Sequence, residues 1–79
     1  MSHTPNELAE LFPEHHDRIH DLKASDAHFA RLADEHHVVN REIHRGETGV
    51  EPMDDVRMEE LRKRRLSLLD EIAAQLRAA

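Results

Sequence analysis

The stretch EHHDRIHDLKASDAHFARLADEHHVVNREIHR, residues 14–45, decides the fold because it contains neither proline nor glycine. As one helix it would be about 48 Å long. Its spine repeats every seven residues and consists of His15, Leu22, Phe29, His36 and Ile43. A seven-residue repeat is typical of helices that pack side by side along a left-handed seam. The pattern predicts a single long helix over residues 14–45.

A second long helix is predicted after the strongest turn signal of the chain, residues 46–53. Gly46 is expected to end the first helix, and Pro52 cannot continue it. Asp54 or Asp55 can cap the second helix, which should extend over residues 54–77. A short connection between two long helices favours an antiparallel hairpin. The predicted fold class is therefore all-α, with a helical hairpin as its main element.

A short helical segment is predicted before the hairpin. Thr4-Pro5-Asn6-Glu7 has the pattern of a capping box, in which Thr4 caps the helix and Glu7 reaches back to it. Pro13 disfavours helical geometry at Phe12 and should break the chain there. Residues 1–13 thus form an N-terminal segment, and residues 14–79 form the hairpin.

The two helices are expected to meet along an apolar seam with a polar pair inside it. A turn centred near residue 50 would place His36 opposite Arg65, where a neutral His36 could accept a hydrogen bond. Protonation of His36 would then set two positive charges face to face. The residues expected to line the seam are Ile19, Leu22, Phe29, Leu32, His36, Val39, Ile43, Met58, Leu61, Arg65, Leu68, Leu69, Ile72 and Leu76.

Two helices have more apolar surface here than they can bury against each other. Leu32, Val39, Leu69 and Leu76 lie at the edges of the two spines, beyond what one partner helix covers. A chain of 79 residues is also short for a stable core of its own. We therefore expect self-association into a four-helix bundle dimer or a larger oligomer.

The composition limits the cellular setting and the classes of partner. The absence of cysteine excludes a disulfide scaffold and thiolate zinc sites. No apolar run approaches the length of a membrane span, and the N-terminus lacks the features of a secretory signal, so a cytoplasmic location is expected. The net charge of −6 argues against attraction of the whole surface to nucleic acid. Full protonation of the eight histidines would bring that charge to about +2.

Several short blocks of the sequence resemble the YdcH-like family of small bacterial proteins. The matching blocks are residues 11–15, 19–23, 26–32, 34–36, 61–63, 65–66, 68 and 70–72, of which Asp26-Ala27-His28-Phe29 is the most specific. The resemblance covers roughly residues 11–73 and departs from the family pattern at Leu69, where that pattern has lysine. It implies a cytoplasmic helical hairpin that self-associates. The function of the family is unknown, so it supplies no catalytic residues.

Two clusters could carry a binding function. His16 and His20, four residues apart, could hold a metal ion from one helix face, although a third ligand at a defined spacing is missing and surface histidines are the simpler interpretation. Arg62, Lys63, Arg64 and Arg65 could contact nucleic-acid phosphates. The spacing of Glu59 to Lys63 and of Glu60 to Arg64 favours instead a solvated face of paired charges.

No residue pattern indicates catalysis, and no cofactor is expected. The serines are not framed as nucleophiles, and two helices offer no enclosed pocket for acid–base chemistry. We interpret the chain as a non-enzymatic, self-associating interaction or regulatory module that binds itself or another protein. The alternatives are a nucleic-acid-associated protein that uses Arg62–Arg65 and a histidine-based assembly that responds to pH or metal.

Overall fold

A computed structural model describes residues 7–78, and within this range every regular element is helical. The all-α class predicted from the sequence is confirmed. The elements in chain order are α1 (Leu8–Leu11), a 3₁₀ turn (Pro13–His15), α2 (His16–Ser25), α3 (Ala27–Glu47) and α4 (Asp55–Arg77).

The N-terminal segment folds as a short helix followed by a bend. Glu7 occupies the N-cap position of α1 in an extended conformation, while the predicted cap Thr4 lies outside the described residues. Phe12 leaves helical geometry at φ −128° and ψ 61°, and Pro13 opens the 3₁₀ turn. Proline removes a backbone donor and restricts the residue before it, which accounts for the bend at this position.

The prediction of one helix over residues 14–45 is wrong, because the structure breaks the helix at Asp26. Asp26 is extended, with φ −126° and ψ 106°, and its carboxylate accepts hydrogen bonds from the amides of His28 (3.0 Å) and Phe29 (3.2 Å). At the end of α2, the Ser25 hydroxyl donates to the Asp21 carbonyl at 2.8 Å. The Asp26 side chain thus caps α3 and lets α2 turn back to pack against it.

The turn between α3 and α4 is closed by Gly49 and not by Gly46, which the sequence predicts as the cap. Gly49 has a positive φ of 77°, and the Val50 amide donates to the Arg45 carbonyl at 3.1 Å, as in a Schellman motif. Gly46 lies inside α3, where a Cβ would come within 2.6 Å of Met58 Cε. Its missing side chain therefore leaves room for the ends of the Met53 and Met58 side chains.

The start of α4 is capped as the sequence predicts. The Asp54 carboxylate accepts a hydrogen bond from the Arg57 amide at 2.7 Å. Helix α4 then packs against α3 along the seam, which places the two chain segments on either side of the turn in contact.

A group of buried residues, here called the main cluster, is built from four parts of the chain. The N-terminal segment and α2 contribute to it together with α3 and α4. Its members are Leu8, Ile19, Phe29, Leu32, Ala33, Leu68, Ile72 and Leu76. Because α2 turns back at Asp26, one chain covers apolar surface that a straight helix would leave open.

Burial of this apolar surface within one chain removes the sequence-based reason for expecting a second copy. Of the four edge residues, Leu32 and Leu76 are buried within the single chain, and Val39 and Leu69 are partly buried against the main cluster. A bundle partner is therefore not needed to bury these side chains. Any surface for self-association has to be sought elsewhere on the molecule.

Phe29 is the aromatic anchor of the main cluster, and its side chain is fully buried. We expect Phe29→Ala to lower the free energy of unfolding by about 3–5 kcal/mol, because it leaves a cavity in addition to losing apolar burial. Urea denaturation followed by circular dichroism would measure this loss. Val38→Ala, on the exposed side of the same helix, is the matched control and should change stability by less than about 0.5 kcal/mol. Similar effects of the two substitutions would contradict the position of the core.

Asp26 is expected to stabilise the fold through its cap. Asp26→Ala should cost about 0.5–2 kcal/mol, because the amides of His28 and Phe29 lose their acceptor. Asp26→Asn keeps a side-chain oxygen at the same position and should cost clearly less. Urea denaturation of the two variants side by side provides the measurement. An Asp26→Ala protein as stable as the wild type would mean that the cap contributes nothing to the break.

Candidate functional site

The centre of the α3–α4 interface contains three polar side chains, here called the polar layer: His36, Asn40 and Arg65. His36 is fully buried and Asn40 is 1% exposed, whereas Arg65 is half-buried. Arg65 Nη1 donates a hydrogen bond to Asn40 Oδ1 at 3.1 Å. Because His36 and Asn40 are four residues apart, they lie on the same face of α3, directed toward α4.

The expected hydrogen bond between Arg65 and His36 is not formed. Arg65 uses Asn40 as its acceptor, and both ring nitrogens of His36 lack a hydrogen-bond partner within the described chain. A buried polar group without a partner lowers stability, because it loses its hydration without compensation. His36 is therefore an unfavourable choice for packing alone.

The surroundings of His36 disfavour its charged form. Burial lowers the pKa of the imidazole below its ordinary value, and the positive charges of Arg65 and His37 lower it further, while the Glu7 carboxylate acts in the opposite direction. The unfolded chain therefore takes up a proton at a higher pH than the folded chain does. With respect to His36, the free energy of unfolding is highest above pH 6.5, where the ring is neutral in both states. It decreases as the pH falls from 6.5 toward the lowered pKa.

Glu7 connects the N-terminal segment to the helix that carries His36. Its carboxylate lies 3.3 Å from Nδ1 of His37, the exposed neighbour of His36. Leu8 follows directly and is buried in the main cluster. Glu7 and Leu8 thus lie against α3 close to the polar layer.

The histidines predicted as metal candidates lie on an open groove. His16 and His20 line it together with other residues of α1, α2 and α3, and its volume is about 440 Å³. Zinc sites in proteins usually have three or four protein ligands. Within the described residues, no group of three or more histidine, cysteine or acidic side chains is arranged to hold a metal ion.

All four residues of the basic run have partners within the chain. Arg62 pairs with Glu47 at 3.0 Å, Lys63 with Glu59 at 3.4 Å, and Arg64 with Glu35. Arg65 belongs to the polar layer. These exposed pairs add little stability, but they partly neutralise the charges that a nucleic-acid surface would need. The expected pair of Glu60 with Arg64 is not formed, since Glu60 lies near Arg57 instead.

The solvent side of α4 carries a further feature, here called the outer face. Its members recur at helical spacing and are Val56, Glu59, Lys63, Leu66 and Asp70. Leu66 is 61% exposed and Val56 is 68% exposed, so two large aliphatic side chains face water among charged ones. The sequence prediction did not include Leu66 in any site, although its position outside the seam residues of α4 was a usable signal.

The predicted seam residues occupy different environments. Those buried are Ile19, Phe29, Leu32, His36, Ile43, Leu61, Leu68, Ile72 and Leu76, and those partly buried are Leu22, Val39, Met58, Arg65 and Leu69. Asn40 and Ala33 are buried on α3 but are absent from the predicted seam, and Asn40 is the polar one of the two. Its spacing of four from His36 is the signal that could have found it.

Comparison with known proteins gives a family and no further relative. The model of a family described as a protein of unknown function (DUF465), which is the YdcH-like family, matches residues 29–76. This range contains α4 nearly complete and most of α3. Searches of curated proteins and of solved structures give no match. Among the described helices, none combines the length and the apolar character that crossing a membrane requires.

We expect Asn40→Ala to lower the free energy of unfolding by about 1–3 kcal/mol, because it removes the acceptor of the Arg65 guanidinium. The double substitution Asn40→Leu with Arg65→Met removes both partners and should recover most of this loss. Urea denaturation at pH 7.5 measures both variants. If the double variant is as unstable as Asn40→Ala, the hydrogen bond does not explain the cost.

Proposed function

Because the chain belongs to the YdcH-like family of unknown function (DUF465), we propose a role from its own surfaces: a non-enzymatic helical hairpin that associates with a second copy through the outer face of α4. The observation that carries this proposal is the exposure of Leu66 in the middle of a face with complementary charges.

The contacts between α3 and α4 support an antiparallel hairpin. Glu35 pairs with Arg64, and Glu42 pairs with Arg57 at 3.3 Å. The partner of the earlier residue on α3 is thus the later residue on α4. Such a reversed order is typical of helices that follow each other through a short turn.

The arrangement of titratable groups supports a non-enzymatic role. Catalytic acids and bases usually combine a shifted pKa with access to an enclosed pocket. Burial lowers the pKa of His36, but its ring is closed off from solvent. The groove beside α2 is open to solvent.

The outer face has the character of a contact surface between copies. Leu66 is apolar and exposed, and the side chains of Lys63 and Glu59 are 76% and 70% exposed. Apolar side chains surrounded by charged ones are common where a helix meets a partner helix. This face lies away from the main cluster, so its use does not require the fold to open.

A second copy fits this face better than an unrelated partner because the charges complement themselves. Lys63 lies three residues before Leu66, and Asp70 lies four residues after it. When two α4 helices cross antiparallel at Leu66, Lys63 of each copy comes opposite Asp70 of the other. The two-fold symmetry forms this ion pair twice around one apolar contact.

The cytoplasm is the location we propose for this assembly. The chain has no cysteine, so its stability does not depend on an oxidising compartment. An additional protein partner would then bind a preformed dimer, in keeping with a regulatory module.

Sedimentation equilibrium at about 1–100 μM, a range that covers weak association, tests the proposal. We expect a reversible dimer, and we expect Leu66→Glu to weaken it at least tenfold, because a charge then faces its own copy across the two-fold axis. Val50→Glu is the matched control, since Val50 is 70% exposed but lies in the turn. A wild-type protein that stays monomeric would refute self-association. Equal weakening by both variants would refute this face as the contact.

A charge exchange tests the orientation of the two copies. Lys63→Glu and Asp70→Lys should each weaken the dimer, because each places like charges opposite one another. Together they restore complementary pairs between the copies, so the double variant should dimerise more tightly than either single variant. Additive weakening in the double variant would contradict the antiparallel crossing at Leu66.

A further inference from the structure

The polar layer divides the buried residues of the hairpin into two unequal groups. On one side lies the main cluster, to which four separate segments contribute. On the other side, toward the turn, Ile43 and Leu61 are buried but do not belong to that cluster. Residues 41–64, here called the turn half, therefore have much less apolar burial than the rest of the molecule.

The charged groups around His36 partly cancel one another, and within the described residues none of them accepts a hydrogen bond from its ring. From α4, Arg65 adds a positive charge, and on α3 itself His37 adds another when it is protonated. From the N-terminal segment, Glu7 adds a negative charge, but its carboxylate already lies 3.3 Å from His37. Asn40 is occupied by Arg65.

We propose that protonation of His36 opens the turn half of the hairpin while the main cluster stays closed. The new charge would be buried between the two helices without a hydrogen-bond acceptor, which is costly. Opening of the interface lets water reach the ring and separates it from the guanidinium of Arg65. The unfavourable burial of a histidine at this position is thereby explained as the sensor of a local conformational switch.

The direction of opening follows from the signs of the neighbouring charges. Glu7 attracts a protonated His36, so the N-terminal segment is held in place. Arg65 repels it, so the force acts between α3 and α4. The turn half is the part of that interface with the least apolar burial, and its ion pairs Glu42–Arg57 and Glu47–Arg62 are exposed. Local opening therefore costs least there.

Amide hydrogen exchange as a function of pH, analysed as protection factors corrected for intrinsic rates, tests the proposal. As the pH falls from 6.5 toward the lowered pKa of His36 in the folded chain, we expect protection of residues 41–47 and 55–64 to fall by up to about tenfold per pH unit. Protection of residues 29–33 and 68–76 should stay unchanged over the same range. A uniform loss across both groups would indicate global unfolding and would overturn the proposal.

Three variants distinguish a switch from a general acid effect. His36→Phe and His36→Leu remove the titrating group and should make the protection of the turn half independent of pH. His20→Gln, at an exposed position of α2, should keep the response. At least one His36 variant has to fold for this comparison, and two differently shaped side chains are used for that reason. A response that persists without His36 would overturn the proposal.

Two further variants should shift the response in opposite directions. Arg65→Met removes a repelling charge and so raises the pKa of His36 in the closed form; the loss of protection should level off at a higher pH and be smaller in total. Glu7→Gln removes an attracting charge and lowers that pKa, so the loss should level off at a lower pH and be larger in total. A purely structural role of these residues would change the protection without moving its pH dependence. Repeating the experiment in Leu66→Glu separates the result from self-association, because the switch is a property of one chain.

Discussion

The carboxylate of Asp26 sets the architecture of the whole chain. By accepting the amides of His28 and Phe29, it starts α3 with a new direction and leaves α2 free to turn back. Without this reversal, residues 14–45 would form one rod, and the apolar face of α3 would be open on the side that α2 covers. The reversal also brings the N-terminal segment over α3, so that Glu7 reaches His37. A single local cap thus determines how much of the core one chain completes.

The second organising feature is the polar layer, which opposes the stabilising effect of the main cluster. Arg65 and Asn40 satisfy each other in part, but His36 has no hydrogen-bond partner within the described chain. An apolar residue at this position would stabilise the hairpin more. A fold that is locally consistent elsewhere and unfavourable at one position points to that position as functional. The ring of His36 lies at the edge of the main cluster, next to the turn half. Its unfavourable burial therefore lowers the stability of the turn half more than that of the rest.

The sequence predicts the helical class, a cap of α4 at Asp54 or Asp55, and the polar contact region of His36 and Arg65 from periodicity and spacing. It does not predict the break at Asp26, because no proline or glycine marks that position. Aspartate breaks a helix only when its side chain caps the helix that follows. Whether Asp26 does so depends on how much apolar surface α2 buries by turning back. The same limit explains Gly46, which looks like a cap but lies inside α3 beside the ends of the Met53 and Met58 side chains. Tertiary packing decides between two local structures of similar energy.

The candidate site was predictable only in part for a related reason. The pairing of His36 with Arg65 follows from the seven-residue register, but which acceptor Arg65 uses depends on distances that no register supplies. Arg65 donates to Asn40 and not to His36, since the amide oxygen of Asn40 lies 3.1 Å from Nη1 of the guanidinium. Leu66 was overlooked because a sequence pattern assigns apolar residues to a core first. Its exposure becomes informative only when the seam of α4 is known to be complete without it.

Acid acts on this protein at two levels that differ in range. The exposed histidines reduce the net charge of −6 and so weaken repulsion between copies, an effect that salt screens over about 10 Å at 0.1 M. His36 acts inside the fold, where screening is weak and the nearest charges are fixed by Arg65 and Glu7. High salt should therefore remove the first effect and leave the second. The response to salt thus distinguishes a pH-dependent surface charge, common to any histidine-rich protein, from a switch that depends on one buried ring.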